Sequence, residues 1–409
     1  MKTTSFRNRA VQQPRVLIIV ENLPSPFDRR VWQEATALYA NGWAVSIICP
    51  TGKGFERTHE LLEGIHIYRY KLPLEGDSPF SYLVEYFAAI SHTFRLAWKV
   101  RKNHGFDVIH ACNPPDLLFL VGGFFKLLFK SKFVFDHHDI NPELFEAKFG
   151  KRGTLWRLMV LLERLSFKVA DVSLATNESY RRIAIERGGM DPDKVYVVRS
   201  GPKLERLRAV PKNDDLKLGR RYLVGYVGVM GKQEGLDYLL KAVHYLVYRL
   251  GRSDIQFCLV GGGTSLEQLK QMAIALKVDE YVTFTGRVPD QQLLEVLNTA
   301  DICVNPDVFN EMNDKSTMNK VMEYMALGKP IVQFDLAEGR FSAGESSVYA
   351  SPNDPEDLAI QMASLLDNAQ RRSAMGELGR ARIENELEWK YEVPKLLAAY
   401  QALNIVHVR

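Results

Sequence analysis

Short apolar runs alternate with longer amphipathic segments along most of the chain. Apolar runs of four to eight residues are typical of buried strands, and the segments between them have the 3.6-residue spacing of helices. In the first half this pattern predicts strands over 15–20, 44–48, 65–70, 107–110, 132–136, 172–175 and 195–198. It predicts helices over 29–41, 82–103, 115–129, 154–169 and 178–187. The alternation indicates a mostly parallel α/β sheet with helices on both faces.

The second half repeats this rhythm after a polar linker over 200–221 that is rich in proline, lysine and arginine. The predicted strands are 222–228, 255–260, 281–284, 301–304, 330–333 and 347–350. The predicted helices are 235–249, 265–276, 290–299, 316–327, 355–367, 370–384 and 388–404. We therefore expect two Rossmann-like domains, over 1–200 and 201–386, followed by a terminal helical segment over 387–409.

Polar and glycine-rich loops follow the predicted strands in both halves. Open parallel sheets bind ligands at the carboxyl ends of their strands, where such loops gather. The sequence therefore predicts a ligand held between two Rossmann-like sheets.

Composition narrows the class of protein. The net charge is +4, and no basic stripe interleaved with aromatic residues is present, which argues against a nucleic-acid partner. The four cysteines lie in or just after apolar runs without zinc-motif spacing, so we expect buried, reduced thiols in a cytoplasmic protein. The polar segment over 1–14 has no apolar signal-peptide core, and no uninterrupted apolar stretch is long enough to span a bilayer.

The segment over 117–135 combines six phenylalanines with Lys126, Lys130 and Lys132. Two interpretations remain open, and both can hold. The segment is a core helix that leads into a buried strand, or its basic edge lies on an anionic membrane surface. The second interpretation predicts peripheral membrane contact.

The sharpest local signal is the segment over 316–330. Ser316 or Thr317 is expected to cap a helix whose unpaired amides favour an anion. Asn319 and Glu323 are four residues apart and share a helical face, with Lys320 adjacent. A carboxylate there can accept hydrogen bonds from a ribose diol, and the lysine can meet a phosphate. The alternative is a surface Lys–Glu pair on an amphipathic helix.

Three further loops are candidates for contact with a nucleotide. The loop over 228–235 contains Gly228 and Lys232, which suit close backbone approach and neutralisation of a diphosphate, although it matches neither the dinucleotide fingerprint nor the P-loop. Gly261 and Gly262 form a second glycine turn, and Arg287 and Val288 lie in a third loop that can present groups to a base. The alternative for each is an ordinary tight turn.

Histidines follow two strands of the first half. His138 ends a predicted central strand beside Asp139, so its imidazole can donate to a substrate oxygen while a carboxylate orients it. His110 holds the same kind of position one strand earlier. His137 and His138 are adjacent and should point to opposite faces of the strand, so we expect no metal site.

In this order and spacing, seven segments make the chain resemble the retaining glycosyltransferases of family 4, which have the GT-B fold. The resemblance extends over about 15–403, and the segments are 27–34, 107–111, 138–139, 225–228, 259–263, 282–288 and 323–330.

The resemblance implies a GT-B architecture, in which two Rossmann-like domains with parallel sheets face each other across a cleft. It implies a nucleotide-sugar donor in the C-terminal domain, an acceptor in the N-terminal domain, no metal, and a last helix that crosses back to the N-terminal domain. We assign the acceptor to Phe27, Asp28, Arg29, His110 and Asp139.

Two departures from the family pattern concern charge. The family often has two glutamates separated by seven residues; the second matches Glu323, but Lys315 holds the first position. The family also often has an arginine and a lysine in the first loop of the C-terminal domain, where this chain has Val229 and Glu234. Lys232 and Lys320 are the candidates to supply the missing positive charge.

The sequence therefore predicts a metal-independent, cofactor-free glycosyltransferase that moves a hexose-type sugar from a nucleotide diphosphate to a glycan or lipid-linked acceptor in cell-surface polysaccharide synthesis. His138, Lys232 and Glu323 are the predicted catalytic residues. The donor is assigned to Gly228, Lys232, Gly261, Gly262, Arg287, Val288, Ser316, Thr317, Asn319, Lys320 and Glu323. The alternatives are a nucleotide-sugar epimerase of the same fold and a catalytically silent scaffold. An NAD-dependent enzyme is disfavoured because the dinucleotide fingerprint is absent.

Overall fold

A computed structural model describes residues 13–72, 79–150 and 152–405, without the side chains of 79–87. The polar segment over 1–12 and the last four residues, for which we made predictions above, lie outside this description. The chain folds into two compact units. The first runs to Val198 and takes up the chain again from Val393, and the second consists of Arg199–Glu392 together with Ala147–Phe149.

The first unit is a mixed sheet covered by helices. Its strands are β1 (Arg15–Ile19), β2 (Ala44–Pro50), β3 (His59–Leu62), β4 (Ile65–Tyr70), β5 (Val108–Cys112), β6 (Lys132–His137), β7 (Val172–Ala175) and β8 (Val195–Val197). The helices are α1 (Arg29–Ala40), α2 (Pro79–Asn103), α3 (Phe119–Phe129), α4 (Asn141–Phe149), α5 (Thr154–Val169) and α6 (Glu178–Glu186).

The strand order in the first sheet is β3-β4-β2-β1-β5-β6-β7-β8. All neighbours are parallel except β3 and β4, which pair antiparallel. The order reverses direction between β1 and β5, where Val16 pairs with Val108. The carboxyl ends at this switch point are where an open α/β sheet places its ligand.

The second unit has the strand order of a dinucleotide-binding Rossmann fold, β11-β10-β9-β12-β13-β14, and every pairing is parallel. The strands are β9 (Tyr222–Val227), β10 (Ile255–Val260), β11 (Val282–Gly286), β12 (Ile302–Asn305), β13 (Ile331–Phe334) and β14 (Ser347–Ala350). The helices are α7 (Leu236–Tyr248), α8 (Leu266–Ala275), α9 (Asp290–Thr299), α10 (Glu311–Lys315), α11 (Asn319–Ala326), α12 (Ala337–Ala343), α13 (Pro355–Leu366) and α14 (Ala369–Arg382). The last helix, α15 (Trp389–Gln401), begins in this unit and ends in the first. The switch point of the second sheet lies between β9 and β12.

The prediction of two parallel α/β sheets is confirmed, but four short elements were missed. They are β3, α4, α10 and α12. β3 is a four-residue edge strand whose alternate residues are exposed, and α10 is a five-residue polar helix, so neither has the apolar run that reveals buried elements. α4 has Pro142 in its first turn, which is compatible with a helix start but reads as a loop in the sequence.

The last helix continues into the first unit from Val393. There, the Tyr400 ring packs edge-on against Trp43, with ring centroids 4.9 Å apart. All four cysteines are buried free thiols, as predicted. No helix within the described residues is both long and apolar enough to cross a membrane.

Candidate active site

Backbone hydrogen bonds join the loops that follow β9 and β10 in the second unit. The Gly228 amide donates to the Val260 carbonyl at 3.0 Å, and the Met230 amide donates to the Gly262 carbonyl at 3.1 Å. The two predicted glycine loops therefore form one continuous rim at the carboxyl edge of the sheet, beside its switch point.

Glycine is required where these loops touch. Gly261 has φ +136°, and a Cβ at this position would lie 1.8 Å from the Gly228 carbonyl oxygen. A Cβ at Gly263 would lie 2.6 Å from the Met230 oxygen. The Gly261 amide also donates to Gly286 at 2.9 Å, which adds the loop after β11 to the rim. Backbone approach this close is possible only without side chains.

The loop after β12 joins the rim from the other side. Gly235 has φ +64°, and a Cβ there would lie 1.8 Å from the Pro306 carbonyl oxygen. The Asn313 side-chain amide donates to the Gln233 carbonyl at 2.8 Å, and the Val308 amide donates to the same carbonyl at 3.2 Å. Asn313 is buried, and we did not predict this bridging role because nothing distinguishes it from the polar residues around it.

Two cations, Lys232 and Arg287, stand on this rim. Lys232 and Arg287 are exposed, and neither forms an ion pair with a carboxylate in the described part of the chain. A Cβ at Gly262 would lie 3.7 Å from Cγ of Arg287, so Arg287 reaches over the second glycine loop. Val288 beside it is half-buried. Unneutralised positive charge beside glycine loops suits a diphosphate.

Lys320, unlike Lys232 and Arg287, forms ion pairs with carboxylates. Its Nζ lies 2.7 Å from Glu234 Oε2 and 2.7 Å from Asp307 Oδ1, and it is buried against the Tyr226 ring. Burial raises the pKa of Asp307 to about 7. The structure thus corrects our picture of Lys320 as an available phosphate ligand, because its charge is already matched by two carboxylates.

The region of Ser316 and Thr317 is built differently from our expectation. Neither residue caps α11, which begins at Asn319 after Met318, a residue with no side-chain cap bond. Ser316 instead ends α10, where its hydroxyl donates to the Met312 carbonyl at 2.7 Å. Thr317 accepts a hydrogen bond from the buried Arg199 guanidinium at 3.4 Å. We did not predict α10, which precedes this region, because a five-residue polar helix has no apolar periodicity in the sequence.

Glu323 lies on α11 one turn after the exposed Asn319, as predicted from their spacing. Arg206 donates from Nη2 to Glu323 Oε1, and its Nη1 lies 3.5 Å from Asp290 Oδ2. The carboxylate is partly exposed, with 12% of the side-chain surface accessible. We did not predict a role for Arg206 because it lies in the linker, far in sequence from the strand-end loops.

In the first unit, a buried arginine organises the carboxyl ends of the central strands. Arg30 on α1 pairs with Asp136 Oδ1 at 2.8 Å and with Glu34 at 3.1 Å, and it donates to the Val198 carbonyl at 2.8 Å. Arg30 and Glu34 are four residues apart on a helix, which is the one sequence signal that could have revealed the pair.

His138 contacts both Asp136 and Arg30. Its Nε2 contacts Asp136 Oδ2 and lies 2.9 Å from Arg30 Nε, and its backbone amide donates to Asn113 Oδ1 at 2.6 Å. Burial opposes the charge of Asp136, but Arg30 and His138 outweigh it and hold the pKa of the carboxyl well below its usual range. His138 keeps 14% of its side-chain surface exposed, so it can still meet a ligand.

His110 is not accessible in the same way. It is fully buried; Nδ1 lies 2.7 Å from the Tyr400 hydroxyl, and Nε2 lies 3.3 Å from Asp136 Oδ2. Burial lowers the pKa of His110 and favours the neutral ring. This corrects our expectation that His110 touches an acceptor, because both ring nitrogens face protein partners. Its position supports Asp136 instead.

Four potential metal ligands meet around Asp136. Ligand atoms of Glu34, His110, Cys112 and Asp136 all lie within 4.8 Å of one another. Our expectation of no metal site rested on His137 and His138, and neither histidine belongs to this cluster. Arg30 pairs with both carboxylates, so a guanidinium already occupies the position of a cation between them.

The remaining predicted acceptor residues lie around the same edge. The Asp28 carboxylate accepts from the Val31 amide at 3.1 Å and caps α1, so its role is at least partly structural. Phe27 and Arg29 beside it are exposed. Asp139 is held through its backbone, since its carbonyl accepts from Asn113 Nδ2 at 2.7 Å.

Both halves of the chain match known sequence families. A model described as Glycosyltransferase Family 4 matches residues 28–206, and a model described as Glycosyl transferases group 1 matches residues 221–368. The chain belongs to the group 1 glycosyltransferases of family 4. The first match covers most of the first unit and the start of the second, and the second match lies within the second unit.

Solved structures support the GT-B fold of this glycosyltransferase. A sucrose-phosphate synthase from Thermosynechococcus elongatus aligns with a TM-score of 0.76 at 18% identity, over 96% of this chain and 99% of that one. Anabaena HepE in complex with UDP and glucose aligns with a TM-score of 0.73 at 16% identity, over 95% and 100% of the two chains.

Among curated proteins, a D-inositol 3-phosphate glycosyltransferase of Thermomonospora curvata is 29% identical over 252 residues, which is 56% of this chain and 57% of that protein. The chain spans about three fifths of the length of such relatives.

Two of the three residues that depart from the family pattern are charged and paired. Glu234 stands where a lysine is common, and its carboxylate meets the Lys320 ammonium at 2.7 Å. Lys315 stands where the first glutamate is common, and its ammonium lies 2.5 Å from Glu311 Oε1. The third, Val229, is uncharged and exposed.

Proposed function

We propose that this glycosyltransferase moves a hexose-type sugar from a nucleotide diphosphate to a glycan or lipid-linked acceptor, with retention of the anomeric configuration. One observation carries the proposal: the glycine rim of the second unit presents Lys232 and Arg287, which pair with no carboxylate among the described residues, on the same sheet edge as Glu323. A rim of close-packed backbone with unneutralised cations is suited to a diphosphate.

The donor is assigned to the second unit. Glu323 would accept hydrogen bonds from the ribose hydroxyls, and Lys232 and Arg287 would neutralise the diphosphate. Gly228, Gly261 and Gly262 let the donor approach the backbone, and Asn319 lies one helical turn from Glu323. The HepE complex contains UDP and glucose, which supports a uridine nucleotide as the first donor to test.

The leaving diphosphate gains charge in the transition state, so a cation that meets it there raises turnover more than it raises affinity. We assign this role to Lys232. His138, held by Asp136 and Arg30, would hydrogen-bond the reacting sugar. Because lysine and arginine provide the positive charge, we propose that the reaction needs neither a metal ion nor a cofactor.

The acceptor is assigned to the first unit, near Phe27, Arg29 and Asp139. We further propose that the enzyme works in cell-surface polysaccharide synthesis, as a cytoplasmic protein peripheral to the inner face of the cell membrane. The exposed edge at Phe27 supports a bulky acceptor rather than one enclosed in the core.

A thermal-shift panel of UDP, GDP and ADP with the wild type and Glu323→Gln tests the donor site. A ligand at a hundredfold excess over its Kd stabilises the folded state by about 2.7 kcal/mol. We expect one nucleotide to raise the melting temperature of the wild type, and a smaller rise for the variant. No shift with any nucleotide would contradict the proposal and favour a silent scaffold.

A further inference from the structure

Helix α3 is apolar on its outer surface as well as its inner one. Leu120, Phe124, Leu127 and Leu128 are exposed, and the last two expose 85% and 59% of their surface. The opposite side of the helix, with Val121 and Phe125, is buried in the first unit. A surface helix normally places polar residues outward, so this outer side is suited to an apolar environment.

Helix α5 meets α3 at its C-terminal end, since a Cβ on Gly123 would lie 3.6 Å from Val169 Cγ1. Its N-terminal half exposes Leu155, Leu158 and Leu161, each by about half, about two to four helical turns away from that contact. We call the four exposed residues of α3 the apolar face: Leu120, Phe124, Leu127 and Leu128.

Basic residues predominate on the helices that carry and flank the apolar face. The exposed charged residues of α5 are all basic, and the segment over 117–135 contains no acidic residue. The basic residues of α5 are Arg157, Arg164 and Lys168. On α2, Trp98 packs on Phe124, with ring centroids 6.4 Å apart, and Arg95 and Lys99 beside it are exposed.

Two of the three lysines from which the sequence predicted membrane contact form ion pairs within the first unit. Lys126 Nζ lies 3.0 Å from Asp171 and donates to the Val169 carbonyl at 2.8 Å, and Lys132 Nζ lies 3.8 Å from Asp171. Only Lys130 of the three is exposed at the end of α3 without an ion pair to a described residue. Attraction through these lysines is therefore weaker than the sequence suggested.

We infer that the apolar face inserts into the headgroup boundary of a lipid bilayer, and that leucine burial provides most of the affinity. Apolar side chains flanked mainly by basic residues match an interface with apolar acyl chains beneath anionic headgroups. The basic residues would orient the first unit on the membrane and would add a salt-sensitive component.

Vesicle co-sedimentation without any sugar substrate tests this, so its outcome is independent of the transfer reaction. The wild type should sediment with phosphatidylglycerol-containing vesicles, and part of the binding should persist in high salt. Leu127→Gln/Leu128→Gln should weaken binding by about tenfold or more, the scale expected from two leucines leaving an apolar environment. Lys126→Gln/Lys132→Gln should have little effect.

The matched control is Ile274→Gln/Leu378→Gln, which replaces two comparably exposed apolar residues on helices of the second unit. The control should bind vesicles like the wild type. The inference is overturned if the wild type stays in the supernatant, if salt abolishes all binding, or if the control loses as much as the leucine pair. It is equally overturned if the apolar face mediates self-association of the chain without vesicle binding, as sedimentation velocity would reveal.

Discussion

Arg206 donates a hydrogen bond to the carboxylate of Glu323, the residue to which we assign the donor ribose. Arg206 comes from the segment before β9, and Glu323 comes from α11, so residues far apart in the sequence meet beside the glycine rim. The guanidinium fixes one carboxylate oxygen and limits the rotamers available to Glu323. Such preorganisation lowers the entropic cost of binding a ligand.

Glu323→Gln should weaken binding of the nucleoside diphosphate by ~1.5–3 kcal/mol, the range for hydrogen bonds to a charged group. Arg206→Gln should cost less, because the carboxylate remains but is no longer fixed. Titration calorimetry measures both, with the exposed Glu377→Gln as control. Equal affinities of wild type and Glu323→Gln would remove the ribose role.

Lys232→Ala should lower turnover more than it weakens donor binding, because the lysine meets charge that develops as the diphosphate leaves. Lys241→Ala is the control, since Lys241 lies on α7 and pairs with Asp237 at 3.1 Å. Steady-state kinetics beside calorimetric affinities separate the two effects. Equal losses in both quantities would indicate ground-state phosphate binding, and no loss in either would make the loop an ordinary turn.

Gly261→Ala should disrupt the rim, whereas Gly262→Ala should be tolerated. The added Cβ would lie 1.8 Å from the Gly228 carbonyl oxygen in the first variant, but it meets only Arg287 Cγ at 3.7 Å in the second. The positive φ of Gly261 adds strain, and such sites cost on the order of 1–3 kcal/mol. The free energy of unfolding in urea and the nucleotide affinity should both fall in Gly261→Ala and stay near wild type in Gly262→Ala. Similar values for the two variants would contradict the observed packing.

The first unit should lose stability as the pH falls below about 6.5. Burial, followed by repulsion from neighbouring histidines, lowers the pKa values of His66 and His104, whose rings stack 4.0 Å apart beside His59. A lowered histidine pKa means that the folded state favours the neutral ring. Its contribution is therefore present above 6.5 and is lost as the pH falls toward the depressed values.

Melting temperatures at about pH 7.5 and about pH 5.5 test this dependence. His66→Gln/His104→Gln should show a smaller decrease than the wild type, while His244→Gln, in the second unit, should follow the wild type. An identical decrease in all three proteins would assign the pH dependence to other groups.

The parts of the structure that depend on buried periodic strands could be predicted from the sequence. The two sheets and the strand-end loops follow from apolar runs that end in glycine or polar residues, and Asn319 and Glu323 follow from helical spacing. The predicted glycine loops at Gly228 and Gly261 lie in hydrogen-bonded contact because β9 and β10 are neighbours.

Pairings between distant segments could not be predicted. Arg206 with Glu323, Arg30 with Asp136, and Lys320 with Asp307 depend on which strands are neighbours and how deeply a charge is buried. Neither property is encoded in local spacing. The prediction that Ser316 caps a helix was wrong for a local reason. The short polar helix α10 ends at this point, and it has no apolar face from which it could be predicted.

The most direct test of the account follows a nucleotide sugar through the reaction. The protein is incubated with UDP-, GDP- and ADP-hexoses and a detergent extract of lipid-linked glycans in the presence of EDTA. The products are then analysed by NMR. We predict one nucleoside diphosphate released for each hexose transferred, with the anomeric configuration of the donor retained. Isomerised donor without diphosphate release would indicate an epimerase, and an inverted product or no turnover of any donor would contradict the account.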